Sequence, residues 1–245
     1  MLMGIKREQY YRKNGLLFNM KYYQIGTGEE PIWEEEPEMD TKPKPKPKPK
    51  PKISIVIPFY WMKNWQFFLT RCLESIEKQT FKDYEVILTK AGSMPINSNR
   101  AMQVAKGEII KILFMDDWLD TSYYLMEMYN AFSSLNVHWV ITAADTNRIP
   151  MWTDNLETGN NRLGSPSALA FRNTEDKLLF DEKLSWLLDV ELYARLYKKF
   201  GKPFILTNIS VGIGIHDGQM TNILTYEQKM AEHAYINERN KINTK

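Results

Sequence analysis

A mixed α/β fold, a mostly parallel sheet flanked by helices, is predicted by three features of the 245-residue sequence. Its composition, 43% hydrophobic and 25% charged, is that of an ordinary globular chain. From residue 53 onward, short β-branched runs alternate with segments of helical spacing, and this order calls for parallel strands with helices on both faces. The first run, Ile53-Ser-Ile-Val-Ile57, is apolar on both faces and ends at Pro58, the pattern of a strand buried on both sides.

The elements follow in chain order. Residues 64–80 place Phe68, Cys72, Leu73 and Ile76 at helical spacing with charges between them. Tyr84 to Leu88 reads as a second strand, Asn97 to Ala105 as a second helix, and Glu108 to Phe114 as a third strand. Asp120-Thr-Ser122 can cap a helix running to about Phe132, and Val137 to Ala143 is another strand. Leu188, Leu192, Leu196 and Phe200 form an i, i+4 stripe, so this segment is an amphipathic helix. Phe204 to Ile209 is strand-like. Ligands of such sheets bind beyond the carboxyl ends of the strands, near the point where strand order reverses. Sites are therefore expected after Ile57, Leu88 and Phe114.

The chain ahead of this domain (residues 53–224) is of another kind. Lys42 to Lys52 alternates Lys and Pro, which removes every second amide donor and forbids helix or central strand. Polyproline II is expected, about 34 Å end to end, as a linker or as an electrostatic tether to an acidic partner. Residues 1–41 form an N-terminal extension whose aromatics (Tyr10, Tyr11, Phe18, Tyr22, Tyr23) could pair as a hairpin around Asn14-Gly15. It is too short to hold a core alone. Residues 225–245 make a C-terminal helix or tail.

Charge is segregated beneath a net +2: residues 1–28 carry +4, 29–41 carry −7, 42–52 carry +6 and 53–245 carry −1. A nearly neutral folded part argues against nucleic acid as the partner. One cysteine, Cys72, excludes an internal disulfide framework and fits a reducing compartment. No apolar run approaches about 18 residues, so no transmembrane segment is expected. The opening MLMGIKREQYYRK turns charged too soon for a secretory leader, and a cytoplasmic location is expected.

Four places carry candidate chemistry. Lys111 to Met115 runs straight into Asp116-Asp117, and two carboxylates at the mouth of a buried strand call for a cation unless they form a solvated, helix-capping turn. Oxygen ligands suit Mg²⁺ or Mn²⁺, with substrate phosphates completing the shell. Asp189 and Glu191 lie two residues apart on a helix and cannot face one site. Glu191 has Arg195 at i+4 as an ion-pair partner. Asp189 has no partner at i+4, and is either a general base or a charge favoured by the helix dipole. His216, between Gly212, Gly214 and Gly218, is either a metal ligand or a loop histidine. Arg162 to Arg172 combines turn residues with a following strand, and its small residues could admit a ligand to the backbone.

In this order the segments resemble a family 2 glycosyltransferase of the GT-A fold, over roughly Ile53 to Thr221. Ile53-Ser-Ile-Val-Ile-Pro-Phe-Tyr60 resembles the family's opening strand and Pro-x-Tyr turn. Leu73-Glu-Ser-Ile and Gln79-Thr-Phe-Lys-Asp-Tyr-Glu-Val-Ile87 resemble the next helix and strand, and Asn99 with Ala105-Lys-Gly-Glu-Ile-Ile110 the following stretch. Lys90-Ala91-Gly92-Ser93 stands where the family usually has Asp-Asp-Gly-Ser, Phe114 where a fuller Asp-x-Asp has its first acid, Ser98 where arginine is common, and Leu188 where a Glu precedes the base.

The resemblance implies a Rossmann-like sheet and an inverting, nucleotide-diphospho-sugar-dependent hexosyltransferase acting on a hydroxyl acceptor (glycan, lipid-linked sugar or protein). It implies Asp189 as catalytic base, Asp116, Asp117 and His216 toward Mn²⁺ or Mg²⁺, and Pro58, Tyr60, Gly92, Ser93, Asn99 and Asp116 toward the donor. Trp152 and Glu191 fall on the acceptor-sugar side. An aspartate at the ordinary value near 4 would be ionised at neutral pH and need positioning only. The alternative is an inactive sugar- or nucleotide-binding module tethered by the Lys-Pro linker.

Overall fold

The computed structural model describes residues 5–13, 16–24, 49–90, 92–145, 148–154 and 156–242. Among them the strands are β1 (Ile5–Lys13), β2 (Leu16–Gln24), β3 (Ile53–Pro58), β4 (Tyr84–Thr89), β5 (Ile109–Ile112), β6 (Trp118–Leu119), β7 (Trp139–Ala144), β8 (Leu169–Arg172) and β9 (Phe204–Gly212). They form one sheet in the order β1-β2-β4-β3-β5-β8-β7-β9-β6. Strands β2, β3, β4, β5, β7 and β9 share one direction, and β1, β6 and β8 oppose it. The helices are α1 (Trp65–Glu77), α2 (Met94–Val104), α3 (Tyr124–Leu135), α4 (Leu188–Phe200), α5 (Met220–Ile223) and α6 (Tyr226–Ile242). The fold is the α/β architecture read from the sequence.

Strand β3 sits between β4 and β5, pairing in parallel with both. Its Ile53, Ile55, Val56 and Ile57 are wholly buried, each side chain contributing about 1.5–3 kcal/mol by leaving water. The chain steps from β3 to β4 on one side and then across to β5 on the other, so strand order reverses between β3 and β5. Cys72, Leu73 and Ile76 of α1 enter the core, as do Leu188, Leu192 and Leu196 of α4. None of the described helices is long and apolar enough to cross a membrane.

Some boundaries and caps differ from the sequence reading. Helix α3 starts at Tyr124 without a side-chain cap, because the Asp120 carboxylate accepts the Ser210 hydroxyl instead. The third strand is shorter than Glu108 to Phe114, because Phe114 turns its N–H to the Ser167 hydroxyl (2.9 Å). Strands β1 and β2 flank Asn14-Gly15 and pair antiparallel, and Lys21, Tyr22 and Tyr23 of β2 pair in parallel with β4. The extension is thus part of the sheet. Residues 42–48 of the Lys-Pro tract lie outside the described residues.

Gly107 passes so close to β3 that a Cβ would come within 2.5 Å of the Ser54 nitrogen. Backbone atoms cannot move aside as a side-chain end can. Gly107→Ala is expected to cost about 1–3 kcal/mol, read as a lower urea midpoint with unchanged slope.

Candidate functional site

The carboxyl ends of β3, β4 and β5 open into a cleft of about 800 Å³. Tyr60 after β3, Gly92 and Ser93 after β4, Asp116 and Asp117 after β5, and Asp189 at the start of α4 all line it. Acids far apart in the chain therefore share one cavity. Pro58 is buried at the end of β3, and Ala91 lies outside the described residues. Lys90 lies over the Trp61 ring, its Nζ 4.2 Å from the centroid.

Asp116 is 7% exposed and Asp117 2%. Burial pushes both carboxyls up, and the neighbouring Asp116 charge pushes Asp117 further. Asp117 is answered from within the fold. The Gly214 N–H donates to its Oδ1 at 2.9 Å, and the Ser167 side chain also hydrogen-bonds it. Asp116 is answered by His216, whose Nε2 stands 3.0 Å from Oδ2, while Arg71 donates to the Asp116 carbonyl at 2.6 Å.

The His216 tautomer follows from its other nitrogen. Gly218 N–H donates to Nδ1 at 3.1 Å, so Nε2 carries the proton and donates to Asp116. The Tyr60 hydroxyl, 3.3 Å from Nε2, stays protonated because burial and the two acids raise its pKa. A metal on Nε2 would require the opposite tautomer and loss of the Gly218 bond. Asp117 and His216 are thus engaged with Gly214 and with Asp116, next to the cleft that Asp116 lines. Among the described residues no three His, Cys, Asp or Glu side chains converge as a metal cage. The donor set, adjacent carboxylates at Asp116 and Asp117 lining an open cleft, still fits Mg²⁺ or Mn²⁺, which keep several waters and take the rest of their shell from substrate phosphates.

Elsewhere in the cleft lining, the half-buried Asp189 accepts the Asn161 side-chain N–H on Oδ2 and the Val190 N–H on Oδ1, each at 2.7 Å. Protein packed around it pushes its carboxyl up to about 7 against those two bonds, well above the value near 4 expected of it. Its loop is held by Glu232 of α6, whose carboxylate accepts the backbone N–H groups of Ser185, Trp186 and Leu187. Neither Asn161 nor Glu232 stood out in the sequence. Lys111 did not either, although a lysine inside an apolar strand was a signal. It is fully buried, its Nζ donates to the Ser167 carbonyl, and burial lowers its pKa to about 7.

Three residues expected at the site are occupied elsewhere. Glu191, 2% exposed, accepts Arg195 at 2.6 and 2.7 Å and also pairs with Arg239, so the ion pair and not the acceptor side describes it. Asn99 closes its side chain on Phe180 and Glu182 (2.8–3.0 Å), clamping that loop to α2 away from the cleft lining. Trp152 donates to Asp154 (2.7 Å) and packs on Tyr197. His138, stacked on Phe200, and His233, edge-on to Trp186, pack against neighbouring rings.

No protein-family model matches the chain, and no curated protein matches it in sequence. Solved structures share its fold. Residues 1–349 of S. aureus TarS match with TM-score 0.52 at 16% identity, over 66% of this chain and 60% of that one. The same TarS segment in complex with UDP-GlcNAc matches with TM-score 0.56 at 15% identity, over 76% and 66%. The mannosyltransferase PcManGT from Pyrobaculum calidifontis, in complex with GDP-Man and Mn²⁺, matches with TM-score 0.52 at 14% identity, over 73% and 62%. Each match spans less than two thirds of the other protein's length. What these matches share with the chain is the α/β fold.

Asp189 makes stability depend on pH with a definite sign. Its native value of about 7 exceeds the unfolded value of about 3.9. The native state therefore holds the proton longer, and this group's contribution is lost as pH rises from about 4 through 7. The wild type is expected to lose more stability between pH 5 and pH 8 than Asp189→Asn, as compared in urea melts at both pH values.

Proposed function

We propose that the chain is an inverting glycosyltransferase of the family 2 type, with a GT-A fold, moving a hexose from a nucleotide-diphosphate donor to an acceptor hydroxyl. The observation carrying this reading is one cleft at the β3/β5 switch, lined both by Asp116 and by Asp189, whose carboxyl is raised to about 7. The shared fold supports it, as do the UDP-GlcNAc and the GDP-Man with Mn²⁺ bound by TarS and PcManGT. A cytoplasmic location belongs to the same proposal.

In this mechanism Tyr60, Gly92 and Ser93 bound the donor beside Asp116. Asp116 would hold the Mn²⁺ or Mg²⁺, which supplies neutralisation of the charge building on the departing diphosphate. The His216 Nε2–H, now directed at Asp116, orients that carboxylate and can donate to an arriving phosphate oxygen. Asp189 takes the acceptor hydroxyl's proton as its oxygen attacks the anomeric carbon from the face opposite the leaving group. A base with a pKa close to the working pH combines adequate ionisation with useful proton affinity, so burial tunes Asp189 rather than merely placing it.

Turnover with UDP- and GDP-hexoses should rise with pH and level off above about 7. Asp189→Asn should lower kcat by about 10²–10⁴-fold while nucleotide affinity is retained. Full turnover in Asp189→Asn would remove the mechanism. Asn161→Ala removes a bond that favours the ionised form and should move the acid limb to higher pH. UDP or GDP at about 100 times its Kd with Mn²⁺ should raise the melting temperature by roughly 5–10 °C. Asp116→Asn should abolish the Mn²⁺-dependent part.

The departure at Lys90, whose ammonium rests on Trp61 where the family usually has an acid, favours a second reading: a nucleotide- or sugar-binding module without turnover. Calorimetric binding of nucleotide diphosphates, with neither donor hydrolysis nor transfer to any acceptor, would select it.

A further inference from the structure

Arg148 and Arg162 line the same cleft as Asp189, and both are exposed. Four other arginines have partners inside the protein, and Arg100 lies away from the cleft lining. Arg71 bonds the Asp116 carbonyl, Arg172 the Val137 and Phe132 carbonyls, and Arg195 and Arg239 carboxylates. Among the described residues, Arg148 and Arg162 have no acidic partner, and the Arg162 guanidinium meets only the Met151 sulfur at 3.9 Å.

The backbones of these two residues are nonetheless fixed. Ala144 N–H donates to the Arg148 carbonyl (3.1 Å), and Met151 N–H to the Arg162 carbonyl (2.9 Å). Arg162 follows Asn161, which holds Asp189 and turns its own Oδ1 to the N–H groups of Leu163 and Gly164. Two guanidinium forks are therefore carried on anchored backbone at the cleft that Asp189 lines, one of them next in the chain to the residue that holds Asp189, and such forks match phosphate and carboxylate oxygens in pairs. Ile149, 60% exposed, and Met151, 45% exposed, line the same cleft and give it an apolar margin.

We propose that Arg148 and Arg162 form an anion subsite, so that the acceptor carries a phosphate or carboxylate near its reacting hydroxyl. The word acceptor rests on the transferase reading; the subsite itself does not. The anion's source is either a soluble phosphosugar or a lipid-borne phosphate.

The test is equilibrium binding by calorimetry at low salt, with glucose, glucose 6-phosphate, glucuronate and octyl phosphate as probes. Proteins compared are the wild type, R148Q/R162Q, and K78Q/K198Q, whose lysines are exposed and away from the cleft lining. Anionic probes should bind the wild type at least about tenfold tighter than glucose, R148Q/R162Q should lose about tenfold, and K78Q/K198Q nothing. UDP with Mn²⁺ should bind all three proteins alike. Tighter binding of octyl phosphate than of glucose 6-phosphate assigns the lipid source, and the reverse order the soluble one. Anionic probes binding no better than glucose, equal loss in K78Q/K198Q, or loss of UDP binding in R148Q/R162Q would each overturn the subsite. If UDP binds none of the proteins while anionic probes still require the arginines, the subsite stands and the donor reading falls.

Discussion

Asp116 and Asp117 leave β5 side by side and buried, and two carboxylates so near each other in a medium of low dielectric repel unless neighbours answer them. They are answered by several remote parts of the chain. The turn before β8 supplies Ser167, the segment after β9 supplies Gly214 and His216, and α1 supplies Arg71 to the backbone between the acids. Meeting this one electrostatic demand draws the ends of three remote segments together, and the cleft is the space left between them. Glycine at 214 is part of the same demand, since a Cβ there would lie 2.2 Å from the Asp116 carbonyl oxygen.

The part of the cleft that carries Asp189 is organised by hydrogen bonds to backbone. Glu232 gathers three successive N–H groups ahead of α4, the place where a helix leaves its first donors unpartnered. Helix α6 thereby sets where α4 begins, and with it the position of Asp189. The neighbouring acid Glu191 is turned away by the helical rotation and locked between Arg195 and Arg239.

Much of this was legible in the sequence, for identifiable reasons. Burial patterns are local, so β3, β4, α1 and α4 could be read from apolar spacing, and the direction of Asp189 against Glu191 from helix geometry alone. The hairpin was readable from Asn14-Gly15, although its docking on β4 was not, since strand pairing is a long-range choice. The acid pair was visible as residues but not in its division of labour, because which oxygen faces Gly214 depends on a loop a hundred positions away. Asn99 and Trp152 misled for the same reason: their partners at 180–182 and at 197 lie in other elements. The base's pKa could not be read at all, because burial belongs to the packed molecule.

The attachment of the N-terminal hairpin carries a consequence of its own. Strand β2 is joined to β4 through Lys21, Tyr22 and Tyr23, a parallel pairing between segments remote in the chain. Docking of β1 and β2 is therefore an intramolecular association governed by an effective concentration. The hairpin of a second molecule would find the same β4 edge and form the same pairs. Strand exchange between copies therefore has to outcompete each molecule's own strands, and crowding many copies on one surface would favour it.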